Sequence, residues 1–167
     1  MIRSNGSANL FLINPAGIIF GENARLDIGG SFYSSTADSI LFEDGEFNTN
    51  LNEPPVLTVN APIGLSFRNE PGDIVVRGNG KGTRLTGSEI IDTQDALRVG
   101  ENATIGIVGG NLIFEAATIK TAGGSIEIGS VEQGRVDLVE AANGFSFDYS
   151  GVETFGNISL IHHNYLL

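Results

Sequence analysis

Carboxylates dominate the reactive side chains of this sequence. It has 20 acidic residues against nine lysines and arginines, two histidines and no cysteine. Thiol nucleophiles, disulfide frameworks and zinc–thiolate centres are therefore excluded. Glycoside hydrolysis needs two carboxylates facing each other across a cleft. The acids on strand-like stretches (Asp27, Asp73, Asp92, Asp95, Glu127 and Asp137) each stand alone, with an Arg or Thr beside some of them. They read as solvated strand-face charges that discourage edge pairing. Glu43-Asp44-Gly45-Glu46 sets three carboxylates at a glycine turn, short of the six to eight oxygens that calcium takes. His162-His163 is the only histidine pair and has no metal-ligand spacing to other residues. No Gly-x-Ser-x-Gly elbow occurs, so a serine nucleophile has no frame. We expect no catalytic residue, no metal and no cofactor.

What remains is a sequence of strands and corners. Leu10-Phe11-Leu12-Ile13 and Ile18-Ile19-Phe20 are two apolar runs hinged on Asn14-Pro15-Ala16-Gly17. Each is too short for a helix, and Pro15 would break one. The four hinge residues suit a type I turn: Asn14 can bond the backbone two residues on, Pro15 presets φ, and Gly17 fits the last position. Period-two alternation recurs at Leu26/Ile28, Ile74/Val76, Ile105/Ile107, Ile126/Ile128, Val136/Leu138, Phe145/Phe147/Tyr149 and Ile158/Leu160. That pattern predicts strands with one buried face and one small or charged face.

Three paired-glycine corners, Gly29-Gly30, Gly109-Gly110 and Gly123-Gly124, each lead through one polar residue to an apolar one. The units Asn23–Gly30 and Asn102–Gly110 look like repeats of one another. Short strands with Gly-rich turns allow a sandwich, a barrel or a solenoid, and the recurring corner-plus-strand unit favours the solenoid.

Leu10 to Phe32 resembles the haemagglutination-activity domain of filamentous-haemagglutinin-like adhesins, the secretion domain of two-partner (type Vb) export. The family's Asn-Pro-Asn-Gly-Ile corner reads Asn14-Pro15-Ala16-Gly17-Ile18 here, with Ala16 the departure. Ser4–Asn9 and Gly21–Ala24 also look like the family, especially its cyanobacterial branch. The resemblance implies an all-β fold, a right-handed single-stranded parallel β-helix with extra-helical loops or hairpins. It implies a non-enzymatic role: recognition by the periplasmic POTRA domains of an outer-membrane TpsB transporter, then nucleation of a longer β-helical adhesin outside the cell. Asn14, Pro15, Ala16, Gly17 and Ile18 are its candidate secretion motif.

Residues 1–160 are expected to form the domain and residues 161–167 a tail. The family domain begins further upstream, with a signal sequence and a cap, so the chain is expected to be truncated at its N-terminus. A missing cap would leave apolar rungs exposed there. Glu43–Pro55 and Arg77–Arg98 break the rhythm and read as excursions, with Val56–Asn60 resuming a strand.

The net charge of −11, with basic residues scattered singly, argues against nucleic acid and anionic membrane surfaces. No run approaches the ~20 apolar residues of a spanning helix. The rival readings are a carbohydrate-active β-helix enzyme, marked by clustered carboxylates on one outer face, and a non-functional gene remnant.

Overall fold

The computed structural model describes residues 1–49, 60–81 and 95–162. Every regular element among them is a strand. In chain order these are β1 (Ile2–Arg3), β2 (Leu10–Ile13), β3 (Ile18–Phe20), β4 (Leu26–Asp27), β5 (Phe32–Ser35), β6 (Ser39–Phe42), β7 (Gly45–Asn48), β8 (Gly64–Phe67) and β9 (Ile74–Arg77). Then come β10 (Leu97–Arg98), β11 (Ile105–Gly109), β12 (Leu112–Glu115), β13 (Ile119–Lys120), β14 (Ile126–Ala141), β15 (Gly144–Asp148), β16 (Val152–Phe155) and β17 (Ile158–Ile161).

Most strands join parallel ladders. One stacks β2, β5, β11 and the start of β14. A second stacks β3, β9, β12 and β17. Two short parallel pairs, β1 with β4 and β10 with β13, take the third position. Along the chain these positions recur in the same cyclic order, so inward side chains of one rung fall on those of the next. The register stacks Leu10, Phe32, Ile105 and Ile126. It likewise stacks Ile18, Ile74, Leu112 and Ile158. β-branched and aromatic side chains suit this half-buried, pleated surface, and these columns form the first apolar core.

A second core lies outside the ladders. β14 runs parallel to β11 as far as Ser130, then continues into an antiparallel sheet with β8, β15 and β16. β6 and β7 extend that sheet beyond β8. Leu65, Phe67, Val131, Val136, Leu138, Phe145 and Phe147 from this sheet bury the outer side of the first ladder, where Tyr33 and Val108 sit. Strands β5 and β11 are therefore buried on both faces, unlike the single buried face expected from alternation. Tyr33 stacks on Phe11 at 4.7 Å and meets Phe145 edge-on. Its hydroxyl donates to the Phe145 carbonyl at 3.1 Å and accepts the Phe145 amide. Burial raises its pKa by desolvation. The β14–β15 tip is tied down as well, since Ser31 Oγ donates to the Asn143 carbonyl at 2.7 Å.

Several expectations change here. The alternating runs at Val136/Leu138 and Phe145/Phe147 are antiparallel strands of the outer sheet, because period two carries no information about strand direction. Glu43–Asn48 forms a tight turn and hairpin strand instead of an open loop. Gly64-Leu65, read as a corner, lies within β8. The proposed Val56–Val59 strand, Pro54-Pro55, Asp92, His163 and most of Arg77–Arg98 and the 161–167 tail lie outside the described residues. First-rung residues Ile18 and Phe20 are buried, whereas last-rung Ile126, Ile158 and Leu160 are exposed. The open apolar rung is thus at the opposite end from the one expected.

Gly106 faces the outer core, where a Cβ would lie 2.5 Å from Tyr33 Cδ1 and 2.7 Å from Phe147 Cζ. Both rings are packed on other aromatics and have little room to yield. Gly106→Val is expected to destabilise the domain by ~1–3 kcal/mol through overpacking, read as a lower urea midpoint at unchanged m-value.

Candidate functional site

The corner Asn14–Ile18 joins β2 to β3, and its geometry follows from its residues. The Gly17 amide donates to the Asn14 carbonyl at 3.1 Å, closing a four-residue turn. Asn14 Oδ1 accepts the Ala16 amide at 3.2 Å, and Asn14 Nδ2 donates to the Gly17 carbonyl at 2.9 Å. Ala16 is not at positive φ whereas Gly17 is, at +116°. With Pro15 holding φ near −65°, that excludes type II and the primed turns and leaves type I. Asn14 and Ala16 are exposed, Pro15 and Gly17 half-buried, and Ile18 is buried in the first core. Ala16, the departure from the family corner, has only its amide engaged in the turn. The hydrogen bonds that shape the corner come from Asn14 and the backbone, so the turn closes without a second asparagine.

What fixes the corner in place is the next rung. The Gly72 amide donates to the Pro15 carbonyl at 2.8 Å, and the Ile18 amide donates to the Asp73 carbonyl at 3.0 Å. A Cβ on Gly72 would lie 2.5 Å from the Ala16 carbonyl carbon and from the Gly17 nitrogen. Only glycine lets the two backbones approach this closely. Gly110 follows on the third rung, its amide 3.3 Å from the Gly72 carbonyl. Beside these glycines runs a polar column. Asn111 donates to Asp73 Oδ1 from its amide at 3.2 Å and from Nδ2 at 3.0 Å. Asn157 repeats both bonds onto Asn111 Oδ1, at 3.1 and 3.3 Å.

The Gly-Asp/Asn-apolar signature at Gly72-Asp73-Ile74, Gly110-Asn111-Leu112 and Gly156-Asn157-Ile158 was legible in the sequence. Grouping corners by paired glycines hid it. Gly29-Gly30 and Gly123-Gly124 lead into the first ladder and Gly109-Gly110 into the second. The apparent repeat also dissolves, since Ile105 pairs with Phe32 and not with Leu26.

The connection from β8 to Gly72 is anchored twice. Asp38 Oδ2 accepts the Arg68 and Asn69 amides at 2.6 and 3.2 Å. Glu46 pairs with Arg68 at 2.6 Å and accepts from Ser39 at 2.9 Å. The Arg68 hydrogen bond holds the Glu46 carboxyl below its ordinary range.

Both strands leaving the corner are terminal in their sheets, β2 pairing only with β5 and β3 only with β9 among the described residues. Neither carries a charge or a proline, the usual protection of an edge, and Ile19 is 64% exposed.

The remaining acids do not converge. Asp27 pairs with Arg3 at 2.6 Å, Asp137 pairs with Arg135, and Asp95 accepts from Asn79 at 2.7 Å. Asp73 belongs to the polar column, and Glu127 lies on the outer side of the first ladder, facing Tyr149. No group of three metal-ligating side chains occurs among the described residues. His162 is exposed.

Comparison with protein families gives one match, the TPS secretion domain, over residues 1–167. The chain belongs to that family. No curated protein and no solved structure matches it. TPS domains are the secretion domains of two-partner systems and are recognised by TpsB transporters, and the family is non-enzymatic. The chain is therefore part of a two-partner secreted protein. No helix of the described residues is long and apolar enough to cross a membrane.

Two outcomes test this account of the TPS corner. Gly17→Ala, forced to positive φ with its Cβ 3.1 Å from the Asp73 carbonyl oxygen, should cost ~1–3 kcal/mol. Asn14→Ala loses two exposed hydrogen bonds and should cost ~0.5–1.5 kcal/mol, both measured by urea unfolding. For Glu46 the sign follows from its lowered pKa. The stability it adds is present above the unfolded-state value near pH ~4.3 and is lost as pH falls through the lower folded value. The stability gap between wild type and Glu46→Gln should hold from pH ~7 to ~5 and close below pH ~4.

Proposed function

We propose that this TPS domain is the export signal of a filamentous-haemagglutinin-like adhesin, recognised by the POTRA domains of an outer-membrane TpsB transporter. The observation that carries the reading is the pair of unprotected edge strands, β2 and β3, joined through the Asn14–Gly17 corner. An extended segment of a partner can add to such an edge through main-chain hydrogen bonds, with side-chain pockets supplying specificity. The corner sets the angle between the two edges, so Asn14, Pro15, Ala16, Gly17 and Ile18 act by holding that geometry.

The proposal extends to the winding of the chain and to folding outside the cell. Cyclic visits to three parallel ladders, with inward residues in register, support a right-handed parallel β-helix with an extra-helical antiparallel sheet. In such a stack each completed rung templates the next. The exposed last-rung side chains Ile126, Ile158 and Leu160 offer an apolar surface on which further coils of the adhesin can grow, delivering it to the surface of a Gram-negative-type cell.

The test is export of the parent protein co-expressed with its transporter. Deleting Asn14–Gly17 should abolish appearance in the medium and leave periplasmic protein to be degraded. Secretion at wild-type levels would overturn the role given to the corner.

A further inference from the structure

Two departures from regular geometry converge on a groove that the export reading does not use. The first is Glu70, held at φ +30°. Positive φ is uncommon for a residue with a Cβ and costs of order 1–3 kcal/mol. The conformation is imposed from both sides, because Asp38 grips the Arg68 and Asn69 amides and Gly72 is pinned to the Pro15 carbonyl. The second is at Gln133, where the β14–β16 register shifts on both sides of the residue. Bulges of this kind re-aim side chains and are frequent beside binding sites.

Glu70 and Gln133 line the same groove of about 450 Å³, together with Arg68, Asn111, Glu132 and Thr154. That volume lies in the ordinary range for small-ligand sites. Its lining mixes donors and acceptors: carboxylates at Glu70 and Glu132, amides at Asn111 and Gln133, a hydroxyl at Thr154. Pro71 is the one apolar side chain in the wall, so a hydrophobic ligand or an apolar peptide side chain finds no purchase. Arg68 is paired with Glu46, which leaves the groove acidic in balance and unfavourable to phosphates and uronates.

We propose that this groove binds a small saccharide that bears no acidic group, with Glu70 and Gln133 as the residues that set its orientation. A ring of hydroxyls can donate to the carboxylates and accept from the amides at the same time, which matches this lining. The edge strands β2 and β3 lie outside the groove, so the proposal stands or falls independently of transporter recognition.

The experiment is an NMR titration of the full chain with N-acetylglucosamine and with cellobiose, using digalacturonate as the anionic control. Perturbations should centre on Glu70, Asn111, Gln133 and Thr154. Gln133→Ala, an exposed position, should weaken binding about fivefold or more with the spectrum otherwise retained. Glu70→Gly removes the carboxylate and relieves the strained φ, so it should weaken binding similarly while its thermal midpoint holds or rises. Absence of saturable shifts with either neutral sugar would overturn the proposal. So would shifts centred elsewhere, unchanged affinity in both variants, or tighter binding of digalacturonate.

Discussion

The distance between stacked parallel strands, about 4.8 Å, constrains everything else in this domain. Inward side chains can meet that spacing by packing like on like, as the columns of Ile, Leu, Val and Phe do. Corners cannot, because there the backbone itself must pass over backbone. Gly72 beneath the Asn14–Gly17 turn is the clearest case, with its amide bonded to Pro15 and no space for a Cβ. The Asp73–Asn111–Asn157 column adds the complementary device. Each carboxyl or amide oxygen accepts both the main-chain and the side-chain N–H of the rung above, so the corner's polar groups are satisfied without widening the stack.

A parallel stack is buried inside but has outer faces that need other partners. On the first ladder that partner is the antiparallel sheet, and β14 makes the connection continuous by serving both sheets. Small residues on the outer side give the aromatic side chains a place to lie. Tyr33 and Phe147 close over Gly106, and Tyr149 closes over Gly129. Burial lifts the Tyr149 hydroxyl pKa by desolvation, with the Glu127 carboxylate adding to the effect. The same layer ends near Gln133 and the 68–71 connection, which is where the polar groove opens.

Family and geometry bear on function at different levels. Membership in the TPS secretion domain makes the chain part of a two-partner secreted protein. The arrangement of the corner suggests how a transporter would read it, through edges whose angle is fixed by a turn locked onto Gly72. An enzyme reading finds little support in the described residues, since Asp27 and Asp137 are spent on arginines and Asp73 on the asparagine column.

The sequence by itself determined the local units. Asn14-Pro15-Ala16-Gly17 closes as a type I turn because its hydrogen bonds are made within four residues, and the all-β character follows from short-range alternation. Twenty contiguous residues of family-like sequence also sufficed to point to the TPS domain. Only the tertiary structure decided which corners stack. Pairing Ile105 with Phe32 and Gly72 with Pro15 depends on contacts between residues far apart in the chain, to which local periodicity is blind. It also decided that Val136–Leu138 and Phe145–Phe147 form an antiparallel cover over Tyr33. A period of two is the same for both strand directions, and direction is settled by where the chain must turn to bury its second apolar face.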